Sequence, residues 1–229
     1  MRMSSATSNR RAWFAGRGPS LLALALGTVL AGCAGIVDKP VQRTLYDFGP
    51  GALPPAATES AVRQASLVLA EVEANAGLDS SAVLYRLGYV DAHQLRPYAH
   101  ARWSASPAQL VRERLREQLG RDRVILSPGE GAALAREGAS MPRVLRLELE
   151  EFTHYFESPG QSVGLVRLRA TLLENTPAGE RLLAQRRFEA RQPAGTADAA
   201  GGVRALVAAT DTLATELAQW LQQPGDRRR

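Results

Sequence analysis

At 229 residues the chain is long enough for one well-cored domain, and its single cysteine leaves neither a disulfide framework nor a thiolate metal cluster. Its net charge of +5 is unevenly placed: four arginines lie in the first 32 residues, which hold no acid, and Asp226-Arg227-Arg228-Arg229 contributes +2. The body between is therefore near −1 and offers no clustered basic face for nucleic acid.

In chain order, Arg2, Arg10, Arg11 and Arg17 precede Leu21 to Leu30, a mostly apolar run of ten residues. A basic start, a short apolar run and small residues at its end predict a secretory signal peptide over residues 1–32. The run is too short to span a bilayer, which needs roughly 20 apolar residues. A buried core helix would show a polar face at a period of 3.6, and none is visible. Arg10-Arg11 before Trp13-Phe14 loosely resembles a twin-arginine signal, but an ordinary basic start fits better.

Leu30-Ala31-Gly32-Cys33 resembles the lipobox of bacterial lipoproteins. That resemblance implies cleavage between Gly32 and Cys33, with acyl chains on the sulfur and on the new amino group of Cys33. One acyl chain gives only marginal, reversible attachment, at about 0.8 kcal/mol per buried methylene, whereas two or three make it effectively permanent. The residue after the acylated cysteine helps to sort such lipoproteins, and aspartate there favours the inner membrane. Here it is Ala34, which points to the outer membrane, facing the periplasm.

Residues 33–60, rich in Pro, Gly and Ala, predict a flexible tether, within which "RTLYDFGP" offers Leu45, Tyr46 and Phe48 to a short edge strand. A single globular domain is expected over 61–223, followed by a frayed basic tail at 224–229. "VRQASLVLAEVEA" alternates through Leu67, Leu69 and Glu71, and "SAVLYRLGYVD" and "QLRPYAHARW" continue as strands. Ser106, Pro107 and Gln109 form a capping-box start for a helix with Ala108, Val111, Leu115 and Leu119 on one face, closed at Gly120. "RVIL" is a short strand, and "SPGEGAALAREGASMP" reads as a loop with a helical turn.

"RVLRLELEEFTHYF" sends Leu145, Leu147 and Leu149 inward against Arg146, Glu148 and Glu150. The phase slips at Glu150-Glu151, which predicts a β-bulge. "SVGLVRLRATLLEN" and "ERLLAQRRFEAR" follow as strands around Thr176 to Gly179, with Arg167 and Arg169 placed to pair with Glu148 and Glu150 across a solvated face. Val203, Leu206, Thr210, Leu213, Leu217 and Trp220 repeat at three and four and predict a long last helix, ended by Pro224. The sum is an α+β, two-layer fold: a twisted, largely antiparallel or mixed sheet with two long helices on one face.

Chemistry is sparse. Gly160-Gln161-Ser162-Val163-Gly164 fits G-x-S-x-G, but a nucleophile elbow needs a helix directly after the serine, and here Ser162 opens a strand. His93, His100 and His154 all precede Ser162, the wrong order for that family, so the motif reads as a turn. His93 and His100, with Asp91 the only nearby carboxylate, make a poor metal set. Glu148, Glu150 and Glu151 lie mostly on the solvent side, and no phosphate-cradling glycine loop occurs. These readings predict no enzyme, no cofactor and no metal.

The stretch "LYRLGYVDAHQLRPYAHARWSASPAQLVRERLREQL" resembles the ABC-type transport auxiliary lipoproteins, the PqiC/YmbA-like group, through Tyr85-Arg86, Tyr98, Arg102-Trp103, Pro107, Leu110 and Leu115. The resemblance implies a non-enzymatic partner of an MCE-type lipid transport system, with a periplasmic MCE channel and an inner-membrane ABC transporter or permease. A ring-shaped channel would favour a homo-oligomeric cap. Arg102 and Trp103 are the expected partner surface, although Trp103 serves equally well as a core residue. Two other readings stay open: a general scaffold lipoprotein for envelope assembly, and a lipid-binding carrier with its own apolar cavity.

Overall fold

The computed structural model describes residues 42–51, 64–136 and 141–223. Cys33, Gly32 and Ala34, and with them the signal peptide and most of the tether, lie outside the described residues, as does the basic tail.

Eight strands form one mixed sheet among the described residues: β1 (Thr44–Tyr46), β2 (Leu67–Ala74), β3 (Ala82–Leu87), β4 (Arg96–Trp103), β5 (Ile125–Leu126), β6 (Arg143–Ser158), β7 (Gln161–Thr176) and β8 (Gly179–Pro193). The helices are α1 (Gly88–Asp91), α2 (Pro107–Leu119), α3 (Pro128–Arg136) and α4 (Ala199–Gln222). The axis of the sheet is β6. Along one side it pairs antiparallel with β7, which carries β8 beyond it. Along the other side it pairs parallel with β2 through Arg143 to Leu149 and with β3 through His154 to Phe156. Antiparallel β4 and then parallel β1 extend the sheet past β3. The fold is therefore α+β with a mixed sheet.

The slip at Glu150 is a bulge: the β6–β7 register shifts between Leu149 and Glu151. It keeps an apolar row facing the helices after an odd step, so Leu145, Leu147 and Leu149 are followed by Phe152 and Phe156 in the buried set. Two long helices cover that face. In α2, Ser106 and Gln109 exchange the two capping-box hydrogen bonds, and Val111, Leu115 and Leu119 are fully buried. In α4, Asp198 accepts the Gly201 N–H at 2.7 Å, and Leu206, Ala209, Leu213 and Leu217 are buried.

Three expectations need correction. The compact unit begins at Gln42, not at residue 61, because Phe48 is buried between Trp103 and Phe152 and anchors the segment after β1 in the core. The segment after β5 forms a nine-residue helix, α3, rather than a loop with a turn. Its start is a second capping box, in which Ser127 Oγ accepts the Glu130 N–H and Glu130 accepts the Ser127 N–H. And β2 does not alternate: Leu67, Val68 and Leu69 are all buried, because α3 covers the second face there, with Gly131 set directly against Val68.

Candidate functional site

The polar residues that the topology concentrates lie where β3, β4, β6 and β7 meet the first turns of α4. His154 and Ser162 are diagonal neighbours on adjacent strands, since Gly164 pairs with His154 and Ser162 with Phe156. Nε2 of His154 and Oγ of Ser162 are hydrogen-bonded at 2.8 Å, and Nδ1 of His154 is hydrogen-bonded to the Tyr98 hydroxyl at 2.8 Å. Aromatic rings close around the chain: Tyr98 on Tyr85 with centroids 4.6 Å apart, and Phe156 on His154 at 4.4 Å. The helix reaches this layer through Gly202 and Gly164, since a Cβ on the first would collide with the His154 ring and one on the second with the α4 backbone at Ala205.

Burial pushes the His154 imidazole down to about 4, against an opposing pull from Asp198, and burial raises the Tyr98 hydroxyl. The imidazole is therefore neutral near pH 7. One ring nitrogen donates to one hydroxyl while the other accepts from the second, which satisfies the buried His154 and Ser162 and the half-buried Tyr98. Chain order alone did not anticipate the His154–Ser162 pair; the β6–β7 hairpin register would have. The pair does not make a nucleophile elbow. Ser162 is buried and opens β7, its carbonyl accepts the Ala194 N–H, and the third member of the chain is a tyrosine rather than a carboxylate. The arrangement ties β4, β6 and β7 together through satisfied polar groups and presents the His154 ring to Gly202 of α4.

Of the two residues expected at a partner surface, Trp103 takes its core alternative. Trp103 is 1% exposed and packs against Phe48 and Phe152, so it belongs to the core. Arg102 turns back on its own strand, donating to the carbonyls of Tyr98 at 2.6 Å and Ala101 at 2.7 Å. Those carbonyls sit in an irregular stretch of β4, where the pairing with β3 jumps from Arg102 to Pro97. Arg102 therefore holds a bulge. The neighbouring Tyr85-Arg86 pair splits across the sheet: Tyr85 joins the aromatic layer, while Arg86 meets Glu151 and donates to the carbonyls of Ala92 and His93, tying α1 to β6. His93 and His100 are exposed, and Asp91 accepts the His93 backbone N–H. Among the described residues, no three His, Cys, Asp or Glu side chains converge on a metal-sized site.

Opposite the helices, the sheet carries ion pairs. Arg169 meets Glu148 at 3.1 Å and also Glu150, and Arg187 meets Glu150 at 2.7 Å. Burial of Glu150 opposes its ionisation, but these two arginines outweigh it and hold the carboxyl below the usual range. Arg167 pairs with Glu189 of β8 instead, because the bulge sets Glu151 across from it and Glu151 is engaged by Arg86. A cleft of about 280 Å³ lies between the Asp47–Pro50 turn and α2, floored by Arg114, which donates to the Phe48 carbonyl at 2.5 Å. Among the described residues, no helix is long and apolar enough to cross a membrane.

Residues 46–218 match the family model described as an ABC-type transport auxiliary lipoprotein component. A crystal structure of a Xanthomonas campestris protein is similar over 78% of this chain and 94% of its own, at 19% identity and a TM-score of 0.62. A second crystal structure, described as an uncharacterized protein, covers 79% of this chain and 99% of its own, at 14% identity and a TM-score of 0.57. These two likenesses speak to the fold alone. No curated protein matches the chain.

Proposed function

The chain belongs to the family of ABC-type transport auxiliary lipoprotein components, and from that membership we propose that it is an outer-membrane-anchored periplasmic lipoprotein serving an MCE-type lipid transport system without catalysing a reaction. Its partners are a periplasmic MCE-domain channel and the inner-membrane ABC transporter or permease behind it, engaged by one or several copies of the folded body. The observation that carries this reading is the family match, which begins thirteen residues after the lipobox cysteine and takes in most of the folded body. The non-enzymatic part is supported by the use of Ser162 and His154: both are buried, and their polar atoms are taken up by one another and by Tyr98. A lipid carrier with its own cavity fits less well: among the described residues, the cleft by Arg114, about 280 Å³, and another between Val68, Gly131 and Val144, about 220 Å³, are both smaller than the roughly 300–1,000 Å³ of ligand pockets.

The anchor is tested by metabolic labelling. Palmitate should enter the wild-type protein and not Cys33→Ser, which should accumulate uncleaved beyond Gly32 or leave the membrane. Equal labelling of the two would sink the anchor. Sorting is tested by fractionation: wild type should follow outer-membrane markers, and Ala34→Asp should shift it inward. Wild-type protein found with inner-membrane markers would refute the location while leaving the partner open.

A further inference from the structure

We propose that the end of the sheet bearing α1 rests on a phospholipid bilayer surface, with Tyr89 and Val90 as its contact. This rests on the reading of Cys33 as a membrane anchor. The two side chains are adjacent, apolar and open, at 45% and 64% exposed. Single exposed apolar residues are ordinary. This pair differs in being braced from three sides. Gly88 packs directly on the Tyr155 ring, Arg86 donates to the carbonyls of Ala92 and His93, and Asp91 accepts the His93 N–H at 2.8 Å. A turn held this firmly, with its two largest apolar side chains outward, is a presented surface.

The occupant follows from the direction of the chain. β1 runs parallel to β4 with Thr44 beside Ala101, so its first residue faces back along the sheet toward the end where β4 begins, at Arg96. β3 is antiparallel to β4 with Tyr85 opposite Arg96, so β3 ends and α1 stands at that same end. An anchor upstream of Gln42 is joined to the sheet through a strand that runs away from the α1 end. Nine residue steps separate Cys33 from Gln42, which limits the reach to about 30 Å. A tether that short keeps the α1 end at high effective concentration beside the lipid, so a weak contact suffices. The chemistry matches: tyrosine suits the headgroup boundary, with its ring apolar and its hydroxyl wet, and Arg43, exposed just before β1, suits anionic phosphate.

The test uses the full acylated protein. Acylation consumes the thiol of Cys33, the only cysteine in the chain, so Val90→Cys and Leu182→Cys each supply one free thiol for a polarity-sensitive fluorophore. Leu182 is the control, since it is exposed at the far end of the β7–β8 hairpin. Each labelled protein is reconstituted in phosphatidylethanolamine and phosphatidylglycerol vesicles, floated, and then read. We expect a blue shift and quenching by brominated acyl chains at position 90 and neither at 182, with Tyr89→Asp weakening the signal at 90. Flotation with equal, water-like signals at both positions overturns the contact and leaves the anchor intact. Failure to float overturns the anchor and this contact together. Protection at 90 that needs an added protein fraction assigns the face to a protein and overturns the bilayer contact.

Discussion

His154 titrates near 4 in the folded chain, chiefly because burial disfavours the imidazolium, against an ordinary value of about 6.5. The unfolded chain therefore takes up a proton below about 6.5 that the folded chain accepts only near 4. Stability should fall as the pH drops through that window, by at most about 3 kcal/mol. Thermal melts from pH 7 to pH 4 check this, and His154→Gln should flatten the slope whatever its effect on stability at pH 7. A second expectation concerns Trp103, now a core residue: Trp103→Ala should cost about 3–5 kcal/mol in urea unfolding. Any partner loss in that variant would then reflect unfolding. At this scale the sequence was partly legible. The Arg169 pairing with Glu148 and Glu150 followed from alternation alone. Trp103 could not be placed, because an aromatic residue at a strand end suits a core or an interface equally, and burial depends on where Phe48 and Phe152 arrive.

Among the elements, α4 depends on its first turn. Asp198 caps Gly201 and also holds the Thr196 hydroxyl at 2.8 Å, and the Gly201 N–H heads the causes that lower the Asp198 carboxyl. Asp198→Ala should lower the midpoint of chemical denaturation, and Asp198→Asn much less, since asparagine caps about as well. The long elements were readable because period and caps agree, as in α2, where the capping box precedes Val111, Leu115 and Leu119. α3 carried the same signal in Ser127-Pro128-Gly129-Glu130, but its two glycines, Gly129 and Gly131, argued against a helix on propensity. The second glycine is there for packing, as Val68 fills the space that a Cβ would take. The β4 bulge was illegible for a related reason: no period marks it, and only the Arg102 hydrogen bonds to Tyr98 and Ala101 account for it.

For the whole molecule, the account joins a sheet whose charges are neutralised by cross-strand pairs, a helical face sealed by Leu206, Leu213 and Leu217, and an anchor reading upstream. The general layout was legible because each long strand and helix carried its own period. The joining of Tyr98 to His154 was not, since the two residues stand 56 apart in the chain. The most direct test of the central claim is co-purification of the full acylated protein from detergent-solubilised membranes, with identification of the proteins it carries. The account predicts recovery of an MCE-domain protein with wild type, retained in Ser162→Ala when that variant is folded by circular dichroism. Recovery of envelope-assembly proteins with no MCE-domain or ABC transporter component would contradict it.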